Sequence, residues 1–272
     1  MAGLNTLARV ALCRSPVGEA LRRVPGLERA YARRMLNSER KPGLFAGCYA
    51  TYGEAMAAIP PGRVAGWDNT GCADIFNGPL PNQPSAHAVF FWLSRLLEAG
   101  ARLVDYGGGP GVTYRLYAQR ATSPVGVTWT VVDLPAIVAR GREVAAAGTL
   151  EGIAFAETLA EAGPCDILLS AGALQYMEHS IPGLLASLAT KPRHIILNKV
   201  PLTSGAAYWS LQNQGPAVCP YRIYNAADFL AYFEAEGYTV ADRWRVAELT
   251  CDIPFHPRRS IDEQCGFLFS RP

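Results

Sequence analysis

Val104-Asp105-Tyr106-Gly107-Gly108-Gly109-Pro110-Gly111 is the stretch that decides how this chain folds. Leu103 and Val104 read as a short buried strand, and Thr113 to Ala121 as the helix after it, so the glycines occupy a strand–helix turn. Glycine there permits the tight turn and lets backbone approach a ligand that a Cβ would exclude, while the helix N-terminus directs N–H groups at it. A dinucleotide fingerprint requires GxGxxG, but counted from Gly107 its third glycine falls on Val112. The pattern present is GxGxG, formed by Gly107, Gly109 and Gly111 and preceded by Asp105. This spacing favours a nucleoside carrying an amino-acid tail over a pyrophosphate. Val131-Val132-Asp133 then ends the next strand, 22 residues beyond Gly111. A carboxylate at that point can accept both hydroxyls of a ribose.

Working outward, strands alternate with helices. Ser85 precedes a helix with the apolar stripe Val89, Leu93, Leu96 and Leu97. Strands are predicted at Val127–Val132, Ile153–Ala156, Ile167–Ser170 and His194–Asn198. Helices are predicted at Pro135–Ala147, Ile181–Leu188 and Ala226–Glu236, the last capped by Asn225 and closed by Gly237. Two late strands, near Tyr238–Val246 and Gly266–Phe269, have no long helix between them and suit an antiparallel pair. The pattern predicts an α/β fold with a Rossmann-like doubly wound sheet, mostly parallel with an antiparallel last strand. Before residue 85, apolar residues recur at helical steps (Leu4, Leu7, Ala11; then Leu21, Val24, Leu27, Tyr31), interrupted by Pro16 and Pro25. Tyr49 to Ala58 reads as a further helix, and 60–84 as a long binding loop. Residues 1–84 are therefore expected to form an N-terminal helical cap and lid loop, and 85–272 the catalytic domain.

Bulk properties narrow the function. Half of the 272 residues are hydrophobic and 18% are charged, so a sizeable core is available. The net charge is +2, divided into +6 over residues 1–41 and −4 over the rest, which gives no case for nucleic acid. The basic arm reads as a solvated helical face. Seven scattered cysteines without a CxxC pair fit a reducing compartment rather than a disulfide framework or a zinc site. With no apolar run of bilayer length and no secretory h-region, a cytoplasmic enzyme is expected; homo-oligomerisation stays open.

Taken together, these residues carry a resemblance. The stretch 104–111 resembles motif I of the class I S-adenosylmethionine-dependent methyltransferases. Val132-Asp133-Leu134-Pro135 resembles their post-I motif in the Asp-Leu-Pro form of small-molecule O-methyltransferases. Asp166-Ile167-Leu168-Leu169-Ser170 resembles the motif at the fourth strand, and Leu174-Gln175-Tyr176 the segment after it. This resemblance spans about residues 85–272. More narrowly, Phe45-Ala46-Gly47-Cys48-Tyr49, Leu211-Gln212-Asn213 and Pro220-Tyr221-Arg222-Ile223-Tyr224-Asn225 are similar to a group of bacterial methyltransferases of unassigned substrate, often associated with surface polysaccharide biosynthesis. The resemblance implies S-adenosylmethionine as cofactor, with Asp105, Gly107, Gly109 and Gly111 around its methionine part, Asp133 on the ribose and Leu134 on the adenine. Glu157 is the nearest match to the acid that meets the adenine amino group, and Ser170 belongs to the fourth-strand motif.

Methyl transfer asks the protein for alignment and, with a hydroxyl acceptor, for a base. Such groups sit at the carboxyl ends of strands. Tyr176 and His179 follow the fourth strand, Asn198 and Lys199 end the fifth, and Gln212, Tyr221 and Arg222 lie in the connection after it. Tyr176, His179, Asn198 and Arg222 are the catalytic candidates; for each, a packing or solvated role is the alternative. Ser170, Ala171 and a lone Asn198 supply too few hard oxygen ligands for a magnesium site, so no metal is expected. The predicted activity is methylation of a small-molecule acceptor, most simply on an oxygen of a sugar or other polar metabolite. The alternatives are a non-catalytic scaffold that keeps the pocket and an NAD-dependent oxidoreductase.

Overall fold

The computed structural model describes residues 16–39, 43–78, 80, 83–149, 152–179, 181–261 and 263–272. The helical steps Leu4, Leu7 and Ala11 lie outside them. In chain order the strands are β1 (Leu44–Tyr49), β2 (Val64–Ala65), β3 (Arg102–Tyr106), β4 (Thr128–Val132), β5 (Ile153–Ala156), β6 (Ile167–Ala171), β7 (His194–Val200), β8 (Leu202–Thr203), β9 (Tyr208–Asn213), β10 (Ala217–Asn225), β11 (Thr239–Val246) and β12 (Gln264–Ser270).

Seven of these form one sheet in the order β11-β12-β7-β6-β3-β4-β5. β3 to β7 run parallel, and β12 is antiparallel to both β7 and β11. The predicted Rossmann-like sheet with its antiparallel end is therefore present. Its central strands are buried on both faces, as a parallel sheet covered by helices requires. Val89, Phe90 and Leu93 of helix Ala86–Leu96 and Leu116 and Tyr117 of helix Val112–Ala118 pack on one face, around Trp129, Leu169 and Leu268. On the other, Ile181, Leu184, Phe229 and Phe233 pack around Leu168, Leu197 and Phe267. Asn225 caps helix Ala226–Ala235 as predicted, accepting from the Asp228 N–H at 2.8 Å. Ser85 does not cap its helix. Its N–H instead donates to Glu248 at 3.0 Å and its Oγ accepts from Asn198 Nδ2 at 3.2 Å.

A second sheet departs from the sequence expectation. β9 and β10 form a hairpin inserted after β7, β1 joins β9 antiparallel, and the short β2 and β8 pair with β10. The segment before residue 85 thus contributes strands as well as the helices Pro16–Arg22, Leu27–Leu36 and Tyr52–Ala57. One face of this sheet carries Ala46, Trp209, Leu211 and Val218 beneath Leu36 and Ala55. The opposite face carries Phe45, Tyr208, Tyr221 and Ile223 against Cys251, Ile253 and Ile261. With both faces covered, nearly every residue of β10 is buried, so the polar–apolar alternation that announces a half-exposed strand is missing. The loop 60–84 is also more ordered than its composition suggests, with a helix at Thr70–Asp74 whose N-terminal Cys72 N–H is capped by Asn69 at 2.9 Å. Among the described residues no helix is long and apolar enough to cross a membrane.

Candidate functional site

β3 and β6 are neighbours in the sheet although the chain passes through β4 and β5 between them, so the sheet's order reverses there. A crevice opens at the carboxyl ends of strands at such a point. Two adjoining cavities fill it, of about 430 Å³ and 650 Å³. Trp67, Phe76, Gly107, Gly109, Gly172 and Tyr176 line both and form the wall between them.

The smaller cavity is built on the glycine loop. Gly107 and Gly109 have φ of +71° and +61°, in the left-handed region where a side chain is strained. A Cβ on Gly107 would lie 2.0 Å from that of Ala173, so no other residue fits. The loop is tied to the next strand through Asp133, whose Oδ2 accepts from the Gly109 N–H and Oδ1 from the Leu134 N–H, each at 2.8 Å. Burial pushes the Asp133 carboxyl up to about 6; the two backbone N–H groups oppose the shift and Asp68 adds to it. Asp68 comes from the long loop before residue 85 and accepts from the Ala136 N–H at the start of helix Pro135–Val144.

Beneath the loop lies Asp105, wholly buried, with neither carboxylate oxygen in a hydrogen bond. Burial raises it to about 7; the nearby Trp129 indole lowers it without closing to hydrogen-bond geometry, and Asp133 raises it further. An unsatisfied buried carboxyl costs folding free energy, and this one sits directly under Gly108.

The structure brings Gly107, Gly109, Asp133, Leu134, Glu157, Tyr176 and His179 together around the first cavity. Leu134 is 41% exposed, an apolar side chain held open on the rim. Four carboxylates line this cavity (Asp68, Asp133, Glu157 and Glu178), and no lysine or arginine does so among the described residues. Other sequence candidates lie elsewhere. Gly111 is the left-handed residue that starts helix Val112–Ala118 and is outside the lining. Ser170 is buried within β6 and faces neither cavity. Asn198 borders the larger cavity, but both ends of its amide are engaged, Nδ2 by Ser85 and Oδ1 by the Trp244 indole N–H at 3.0 Å.

Arg222 is the clearest departure. Along β10, side chains alternate between faces, and Tyr221 takes the one that borders the larger cavity. Arg222 points the other way, with its guanidinium 4.9 Å from the Tyr224 ring centre and 5.5 Å from that of Trp209.

The larger cavity is lined by rings (Phe45, Phe76, Phe90, Tyr221) and by Gln83, Gln175, Gln212 and Gln264. Tyr176 donates to Gln212 Oε1 at 2.6 Å and accepts from Gln214 Nε2 at 3.0 Å. Burial raises its hydroxyl well above the ordinary tyrosine range. Trp67 packs edge-on to Tyr176 and stacks with Phe76, closing the wall. Trp67, Asp68 and Phe76 line the candidate site although no sequence motif marks them; their one sequence signal is the length of the loop that carries them.

Magnesium protoporphyrin IX methyltransferase from Synechocystis PCC 6803, with bound SAH, matches at a TM-score of 0.50 and 16% identity, covering 76% of this chain and 96% of that one. The chain has the methyltransferase fold. The 1,6-didemethyltoxoflavin-N1-methyltransferase of Burkholderia thailandensis matches at 0.47 and 17% identity over 70% of this chain and 79% of that one. The CcbJ methyltransferase of Streptomyces caelestis matches at 0.46 and 13% identity over 76% and 98%. No protein-family model and no curated protein sequence matches. In the methyltransferase fold of this chain, the parallel strands and the glycine loop come from 85–272, and the second sheet combines β1 and β2 with the insertion after β7.

Proposed function

We propose that the chain is an S-adenosylmethionine-dependent methyltransferase acting on a small molecule, and that the acceptor is methylated on oxygen, as a sugar or another polar metabolite. The observation that carries the reading is the charge of the smaller cavity: four carboxylates, no lysine or arginine among the described residues, and a glycine cradle with no room for a Cβ. A sulfonium nucleoside with an ammonium tail is cationic and suits that field. The pyrophosphate of a dinucleotide is anionic and would be repelled. The residues present therefore fit the cofactor.

When bound, the cofactor supplies a methyl group already activated on sulfur. The chain's own part is to hold and to align. Gly107 and Gly109 let the backbone close on the amino-acid tail, with the buried Asp105 beneath the loop. Asp133 would take the ribose, Leu134 would cover one face of the adenine and Glu157 would meet its edge. The larger cavity would seat the acceptor, with rings for its flat or C–H faces and glutamine amides for its hydroxyls. Trp67, Phe76 and Tyr176 at the junction would fix the angle between the partners and exclude water, the positioning on which transfer depends. Residues 1–84, together with the insertion after β7, would act as the cap over a catalytic domain of 85–272.

Calorimetric titration with S-adenosylmethionine, S-adenosylhomocysteine and NAD tests the reading. Binding of the first two and none of NAD is the expected result. Binding of NAD with no response to the adenosyl ligands would overturn it.

A further inference from the structure

Lys199 stands at the end of β7, where the two cavities meet. Its backbone has φ +61°, a left-handed conformation that only Phe255 shares among the described non-glycine residues. Holding a side-chain-bearing residue there costs free energy, and such strain persists where the surroundings enforce a particular placement. The stem lies across Gly172, itself at φ +103°; the Lys199 Cδ is 3.1 Å from where a Gly172 Cβ would be. Gly172 belongs to the wall common to both cavities, and Lys199 lines the larger one. Its ammonium makes no hydrogen bond or ion pair with any described residue.

The groups around it do not neutralise it. The titratable side chains sharing the cavity are Glu248, Tyr176 and Tyr221. Glu248 is exposed at the mouth and already accepts the Ser85 N–H, and both tyrosine hydroxyls are held protonated by burial. Gln175 and Gln264 are 4% and 3% exposed; their Nε2 atoms donate to Gly172 O and the Tyr221 hydroxyl, leaving each Oε1 without a donor.

We propose that Lys199 is the catalytic base of the acceptor cavity, its neutral amine receiving the proton of the acceptor hydroxyl. The O–H bond breaks and an N–H bond forms with the nitrogen lone pair. The O–H electron pair stays on oxygen, the atom to be methylated, and the positive charge ends on the Lys199 ammonium. Burial favours this by lowering the ammonium below the ordinary lysine value, an effect only partly opposed by Glu248. The inference rests on the methyltransferase reading for the fate of that oxygen, but not for the state of the amine.

Trace acetylation with acetic anhydride across pH, read by peptide mass spectrometry on the folded chain, tests it without turnover. Lys191, paired with Glu236 at the surface, is the internal reference, and the denatured chain corrects for intrinsic reactivity. Lys199 is expected to gain reactivity at least one pH unit below Lys191. Reactivity that rises together with Lys191, or an amine closed to the reagent at every pH, would overturn the proposal. Lys199→Gln should bind S-adenosylhomocysteine within twofold of the parent and lose at least 100-fold in kcat on a hydroxyl acceptor, with KM little changed. Retained kcat would overturn the role. A low-pH amine in a chain that binds no S-adenosylhomocysteine would instead overturn the methyltransferase reading.

Discussion

Asp133 accepts a hydrogen bond from the Gly109 N–H at 2.8 Å, so the carboxylate that ends β4 also fastens the glycine loop that follows β3. The two sequence signals, 24 residues apart, are one physical unit. Asp133→Ala should therefore weaken S-adenosylmethionine at least tenfold by calorimetry and also lower stability by about 1–3 kcal/mol, because two backbone donors lose their acceptor. Asp133→Asn should recover part of the stability and little of the affinity. Unchanged affinity in either variant would remove Asp133 from the site.

Gly107→Ala places a methyl 2.0 Å from the Ala173 Cβ on a backbone at φ +71°. Gly107→Ala/Ala173→Gly relieves the contact but not the dihedral strain. The single variant should lose measurable cofactor binding and several degrees of Tm, and the double variant should recover only part of the Tm.

The buried carboxyls make the ligand-free protein sensitive to pH. Asp105 and Asp133 are raised to about 7 and about 6, against about 3.9 in the unfolded chain. Between these limits the native state binds more protons than the unfolded state, so their contribution is fully present below about pH 4 and is lost as pH rises through 6 to 7. Stability should fall by roughly 2–4 kcal/mol between pH 5 and pH 8, measured by denaturant melts. Asp105→Asn should remove most of that slope; a parallel pH dependence in the variant would contradict the assignment.

Asn198 braces the fold, holding Ser85 on one side and the Trp244 indole on the other. Asn198→Ala should cost about 1–3 kcal/mol, since it strands a half-buried indole N–H. Cofactor affinity at low temperature should remain within a few-fold. A stable variant devoid of activity would restore Asn198 to a direct catalytic role.

Arg222→Ala should lose about 1 kcal/mol of stability from its stacking on Trp209 and Tyr224 and leave binding at both cavities unchanged. A selective loss of acceptor binding would show that its side chain reaches the cleft.

Much of this protein is legible in its sequence because the relevant signals are local. The alternation of strands and helices, the spacing of Gly107, Gly109 and Gly111, and Asp133 at the end of the next strand each depend on neighbours within about one βαβ unit. They identify the sheet and the smaller cavity. Ser170, Gly111 and Arg222 show where local reading ends: all three lie within a motif, yet the tertiary structure leaves them out of the lining of both cavities.

The larger cavity was decided by tertiary structure alone. β1 pairs with β9 through Leu44 and Asn213, and the Arg63 guanidinium donates to the Gly215 carbonyl across 152 residues. A hairpin buried on both faces has no periodicity to advertise it, and pairing between distant segments leaves no mark in either one. That pairing sets Phe45, Gln212 and Tyr221 around the larger cavity. The turn of backbone at Lys199, visible only in three dimensions, lays its stem across Gly172 at the junction. From the sequence alone came the glycine loop and the carboxylate that fastens it; the larger cavity beside them was fixed by the packing of a second sheet over the first.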